Sequence, residues 1–142
     1  LHIKLILIGK ISIYNNLNIN NNFIEYYDWL EQKVLEKKIS TVNLVCLPRI
    51  NSQVCNIIPP LKVAECIKNK VPLLTPDYEI FQEYSNYGKF FYLYRKNELY
   101  NSIKNIYYKG YDVNKLEAGY TYYINNVTWN IYSNKLHNFL KM

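Results

Sequence analysis

The sequence has 142 residues and is poor in arginine, in clustered cysteine and in long apolar runs, and each shortage removes a class of function. Its formal charge is +6, yet fifteen of its seventeen basic residues are lysines spread along the chain, and Arg49 and Arg95 are its arginines. Basic groupings such as Lys37 with Lys38, and Lys68 with Lys70, are no larger than two residues. Binding to a nucleic-acid backbone needs a concentrated positive face, and an RNA-recognition module adds an aromatic-glycine signature. Neither is present, so nucleic acid is not an expected partner. Cys46, Cys55 and Cys66 form an odd set without a Cys-x-x-Cys pair, and His2 and His137 stand at opposite ends. Spacings this wide give neither a zinc site nor a disulfide framework. Reduced, buried, structural cysteines in a cytoplasmic protein are expected instead, which makes the sequon at Asn126-Val127-Thr128 a chance match. No apolar stretch approaches the roughly 20 residues that cross a bilayer.

What is present is an ordinary globular composition, 49% hydrophobic and 20% charged. A chain of this length fits one domain, 1–142, that is stable without disulfide or metal. The sixteen tyrosines and the abundant Asn, Ile and Lys have codons rich in A and T, so genome composition accounts for them without reference to function. The chain begins at Leu1, without an initiating Met, and runs straight into an apolar strand. An internal domain or a fragment is expected to begin in that way.

Periodicity divides the chain into alternating elements. Ile3 to Ile8 reads as a strand buried on both faces, ending at Gly9. The Asn-rich stretch Asn15 to Asn22 has loop character. Phe23, Tyr26, Tyr27, Leu30, Val34 and Leu35 recur at three and four, which predicts an amphipathic helix to about Lys38. Thr41 to Leu47 is a second strand, stopped by Pro48. Pro59-Pro60 opens a helix to about Asn69, since proline suits the first turn. A third strand at Val71 to Leu74, a helix over Asp77 to Tyr87 and a fourth strand at Phe90 to Tyr94 follow. Helices at Asn97 to Tyr108, Asn114 to Asn125 and Thr128 to Leu140 close the chain. Alternation with short connections predicts an α/β fold, a parallel sheet with helices on both faces.

Open parallel sheets bind ligands at the carboxyl ends of their strands. Here those ends are Pro48-Arg49 and Thr75-Pro76-Asp77, and between them lies the helix that starts at Pro59-Pro60-Leu61-Lys62. Free backbone N–H groups and the positive dipole end of such a helix suit a phosphate. Lys62, a cation in the first turn, opposes the dipole unless an anion sits between them. Glu65, one turn on, can accept two hydrogen bonds from a ribose diol. The same residues admit a plainer account. Lys62 and Glu65 form an i,i+3 ion pair worth a few tenths of a kcal/mol, Leu61, Ala64 and Ile67 are core, and Arg49 is a solvated loop residue.

Six segments in order also resemble the C-terminal part of a family 4 glycosyltransferase of the GT-B fold, the "glycosyl transferases group 1" type. Val42 to Arg49 resembles the strand that ends in Pro-x before the donor site. Pro60-Leu61-Lys62-Val63-Ala64-Glu65 is similar to the Pro-Leu-Lys-x-x-Glu that opens the donor-binding helix. Val71-Pro72-Leu73-Leu74 with Pro76-Asp77 looks like the strand after that helix. Gly88 to Tyr94 and Asn97-Glu98-Leu99 look like the next strand and helix, and Thr128-Trp129 falls at a Ser/Thr-Trp before the terminal helix. The resemblance implies a Rossmann-like donor domain and a retaining transfer from a UDP- or GDP-sugar, with no metal or other cofactor. Glu65 then binds the ribose, Leu61 and Lys62 bring the helix start to the diphosphate, and Arg49 lies near the donor without an assigned role.

The departures matter as much. Counting back across seven positions from Glu65 reaches Ile57, so the first glutamate of the family's Glu-x7-Glu motif is missing and no catalytic group is assigned. Lys70 stands where glycine usually ends the helix, which costs on the order of 1 kcal/mol unless Asn69 adopts the left-handed conformation. The resemblance puts the basic clamp for the leaving diphosphate, the acceptor domain and any peripheral membrane association upstream of Leu1. The chain alone is therefore expected to bind donor weakly and to transfer nothing. The other reading is a non-catalytic α/β module, degenerated from that family, that binds a partner protein.

Overall fold

The computed structural model describes residues 2–9, 22–50, 52–53, 62–83, 91–126 and 128–141. The chain divides into two compact units, Leu1–Lys38 and Ile39–Met142. The fold is mixed α/β, and the strand pairs described are all parallel.

In the first unit, strand β1 (Leu5–Ile8) pairs with strand β2 (Ile24–Tyr27), Leu5 opposite Ile24 and Ile8 opposite Tyr27. Helix α1 (Gln32–Ile39) follows. β1 is the expected first strand, but Leu5 and Ile8 are exposed, so it is not covered on both faces. β2 corrects the sequence reading more sharply, because the helix expected from Phe23 begins only at Gln32. Ile24, Tyr26 and Tyr27 are β-branched or aromatic and favour a pleated surface, and the three-and-four spacing of Phe23, Tyr26, Tyr27 and Leu30 coincided with a helical period. Glu25 pins the strand, its carboxylate 2.5 Å from Lys4 Nζ and 3.0 Å from Lys38 Nζ of α1. Those two ammonium groups hold the Glu25 carboxyl down at about 2. The Tyr26 hydroxyl donates to the Gly9 carbonyl at 3.0 Å, where the chain leaves β1 with Gly9 at φ 126°.

In the second unit, strands β3 (Val45–Cys46), β4 (Leu73–Pro76) and β5 (Phe91–Tyr94) form a sheet in the order β3-β4-β5. Helix α2 (Lys62–Lys68) lies between β3 and β4 in the chain, and helix α3 (Glu79–Glu83) follows β4. Helices α4 (Leu99–Lys109), α5 (Val113–Asn126) and α6 (Trp129–Leu140) follow β5. Leu73, Leu74, Phe81, Phe91 and Cys66 are the deepest apolar side chains, so the central strand and α2 carry the core. Leu73 and Phe91 line a small cavity together with Ile67 of α2 and Leu116 and Gly119 of α5. Leu74 and Tyr92, on alternate positions, line a cleft with Ser102 and Ile106 of α4.

The start of β4 shows why the third strand lies two residues later than the apolar run. Val71 N–H is already used, donating to the Cys66 carbonyl at 3.0 Å, and Pro72 has no N–H. Together with Lys70 N–H on the Ile67 carbonyl at 3.0 Å, this is a Schellman cap. Lys70 itself takes the left-handed conformation, φ 53°, and Asn69 instead donates its side-chain amide to the Glu65 carbonyl at 2.8 Å. Gly110 (φ 74°) closes α4, its N–H on the Ile106 carbonyl at 2.9 Å. Asp112 opens α5 by accepting from Asn114 N–H at 2.9 Å and Lys115 N–H at 3.3 Å.

Candidate functional site

Three parallel strands in sequential order end at one edge of the sheet, and that edge is the place to look for a ligand. The chain runs from β3 to Arg49, from β4 to Asp77 and Tyr78, and from β5 to Arg95. Two hydrogen bonds tie these ends together. The Tyr78 hydroxyl donates to the Arg49 carbonyl at 3.0 Å, and the Asp77 N–H donates to the Tyr94 carbonyl at 2.8 Å. Arg49 and the end of β4, the two segments the sequence assigns to one crevice, are therefore brought together. Burial pushes the Tyr94 hydroxyl upward, with Cys46 and Tyr78 adding to the shift. Burial likewise raises the Cys46 thiol. Sequence reasoning misses Tyr78, whose signal is an aromatic residue directly after Pro76-Asp77.

The α2 segment carries the other candidates. Residues 69–72 lead from its last turn into the start of β4, so its first turn points back toward the carboxyl edge. Lys62 opens the helix and Glu65 lies one turn on, the carboxylate 16% exposed and the ammonium 38%. Lys62 Nζ is 3.1 Å from Glu65 Oε2 and donates to Oε1 at 3.2 Å. The plain i,i+3 ion pair is thus formed. The Glu65 charge is felt next door, because burial pushes the Cys66 thiol up to about 12, with Glu65 raising it further and Lys62 opposing. A thiol so placed is a core group, as expected of structural cysteine. Leu61, the fourth candidate, and Pro59, Pro60, Ile57 and Cys55 lie outside the described residues.

One feature had no sequence signal. Beside α4 and β5 an open cleft of about 390 Å³ is lined by Leu74, Tyr92, Ser102, Asn105, Ile106 and Lys115. Lys115 Nζ donates to the Phe91 carbonyl at 2.6 Å and lies 4.4 Å from the Tyr92 ring centroid. Burial lowers its pKa, with Asp112 opposing. The position of Lys115 depends on α5 folding back beside β5, a tertiary event that no local pattern encodes.

Among the described residues, no group of three or more His, Cys, Asp or Glu could hold a metal ion, and no helix is long and apolar enough to cross a membrane. No protein-family model, no curated protein and no solved structure matches the chain.

Proposed function

We propose that this chain is the donor-binding part of a retaining glycosyltransferase that uses a nucleoside-diphosphate sugar, and that its sheet belongs to a Rossmann-like domain. The observation that carries the reading is the common carboxyl edge of β3 and β4. Arg49 and Asp77-Tyr78 are tied together there, and the α2 turn bearing Lys62 and Glu65 points toward it. In this reading Lys62 and the helix-start backbone, including Leu61, meet the diphosphate. Glu65 exchanges part of its pairing with Lys62 for two ribose hydroxyls. Arg49 supplies charge near the donor. The ordered resemblance of six segments adds support. No group of the described chain is assigned as catalytic acid or base, and transfer requires the diphosphate clamp and acceptor surface that the resemblance puts elsewhere.

Calorimetry of wild type and Glu65→Ala with UDP and GDP tests the role of Glu65. Hydrogen bonds to a charged group are worth about 1.5–3 kcal/mol, so removing the carboxylate is expected to weaken binding about tenfold or more. Unchanged affinity would remove Glu65 from the site and leave the protein-interaction module as the better reading.

A further inference from the structure

The last helix has no place in the donor site and leaves its apolar face outward. α6 has no buried residue. With about 100° of rotation per residue, Phe139, Tyr132, Leu136, Trp129 and Leu140 fall within one arc of about 100°. All five are exposed, Trp129 at 84% and Phe139 at 72%. Asn130, Asn134, Asn138 and Lys141 lie on the other side, where Ile131 is half-buried. A contiguous outward stripe of this kind marks a contact surface.

Charge decides among its occupants. The charged residues of the segment 128–141 are Lys135 and Lys141, with no acidic residue, in a chain of formal charge +6. Lys135 flanks the stripe with its Nζ 5.8 Å from the Tyr132 ring centroid. A second copy would set lysine against lysine, whereas an anionic surface is complementary. The stripe itself combines Trp and Tyr, whose amphipathic rings suit the headgroup level, with Phe and Leu, which enter the acyl boundary. Lysine stems reach along apolar surface while keeping the ammonium in the polar layer. We infer that α6 is an interfacial helix that lays its Trp129-to-Leu140 stripe on an anionic bilayer surface. This concerns residues other than the donor-site candidates and stands whether or not that site binds nucleotide.

The test uses the whole chain carrying Trp29→Phe, which leaves Trp129 as the sole fluorophore of the two tryptophans. It is mixed with vesicles of phosphatidylcholine alone, or of phosphatidylcholine with phosphatidylglycerol. With the anionic vesicles, co-sedimentation and a blue shift of Trp129 emission are expected, both weakening as salt is raised. Adding Trp129→Ala and Phe139→Ala should lower partitioning at least about tenfold. Lys135→Gln with Lys141→Gln should lower it about 25-fold on anionic vesicles only, at about fivefold per lysine. All four side chains are exposed, so circular dichroism should be unchanged in both variants. A chain that stays in solution with anionic vesicles overturns the inference. So does undiminished binding by the aromatic variant, or a concentration-dependent dimer that buries Trp129 in the absence of lipid.

Discussion

At the residue scale, Thr75 and Lys70 bear local costs of different kinds. Thr75 is fully buried in β4, and among the described residues its hydroxyl has no hydrogen-bond partner. An unpaired buried hydroxyl costs about 1–3 kcal/mol, so Thr75→Val, nearly isosteric, is expected to raise stability by about 1 kcal/mol in urea unfolding. A loss of stability would mean that the hydroxyl has a partner. Lys70 holds a left-handed conformation that costs about 1 kcal/mol outside glycine. It recovers part of this through Glu117 at 2.8 Å and through Tyr120, whose ring centroid is 4.6 Å from its Nζ. An exposed ion pair contributes about 0–1 kcal/mol and a cation–π contact about 0.5–1. Lys70→Gly is therefore expected to leave stability within about 0.5 kcal/mol of wild type, since the two effects offset. Cys66 is expected to stay unmodified by a thiol reagent in the native protein and to react after denaturation, because burial and a thiol near 12 withhold the thiolate. Labelling of Cys66 in the folded protein would contradict its place in the core. The odd residue at position 70 was visible in the sequence as a missing glycine. The orphaned hydroxyl was not, because it depends on what packs over β4.

At the element scale, the later helices are legible because their apolar spacing is long or, for α4, bounded by Gly110. β2 reads as helix because aromatic residues spaced three and four apart satisfy a helix pattern and a strand equally well, and parallel pairing with β1 decides the matter. The apolar run puts β4 two residues early, since the C-cap of α2 uses Val71 N–H. β2 also carries a pH dependence. The ordinary Glu25 value is 4.5 and the folded one about 2, so its contribution to stability is complete above pH 4.5 and fades as pH falls toward 2. The group is part-exposed and reaches solvent, so the contribution should also weaken with salt. Thermal melts followed by circular dichroism at successive pH values should show stability falling in that window. Glu25→Gln should lack that pH dependence, and an identical acid profile in the variant would contradict the role of Lys4 and Lys38.

At the scale of the whole molecule, alternation of strand and helix gave the α/β class and the parallel pairing, while the division into two units had no boundary signal in composition. The meeting of Arg49 with the end of β4 was legible, because strand ends of a parallel sheet share an edge. The Tyr78 bond that fixes it, and the Lys115 cleft, were not, since both depend on loops and helices packing across 20 or more residues. Glu65 was legible as a carboxylate one turn into a helix, and its pairing with Lys62 was legible as the plain alternative. The central claim is that the carboxyl edge binds a nucleotide. Amide shifts during titration of the chain with UDP and with GDP test it most directly. Shifts gathered at Arg49, at Lys62 to Glu65 and at Thr75 to Asp77 are the expected result, larger for one base than the other. Absence of shifts at millimolar nucleotide, or shifts confined to residues away from that edge, would contradict it.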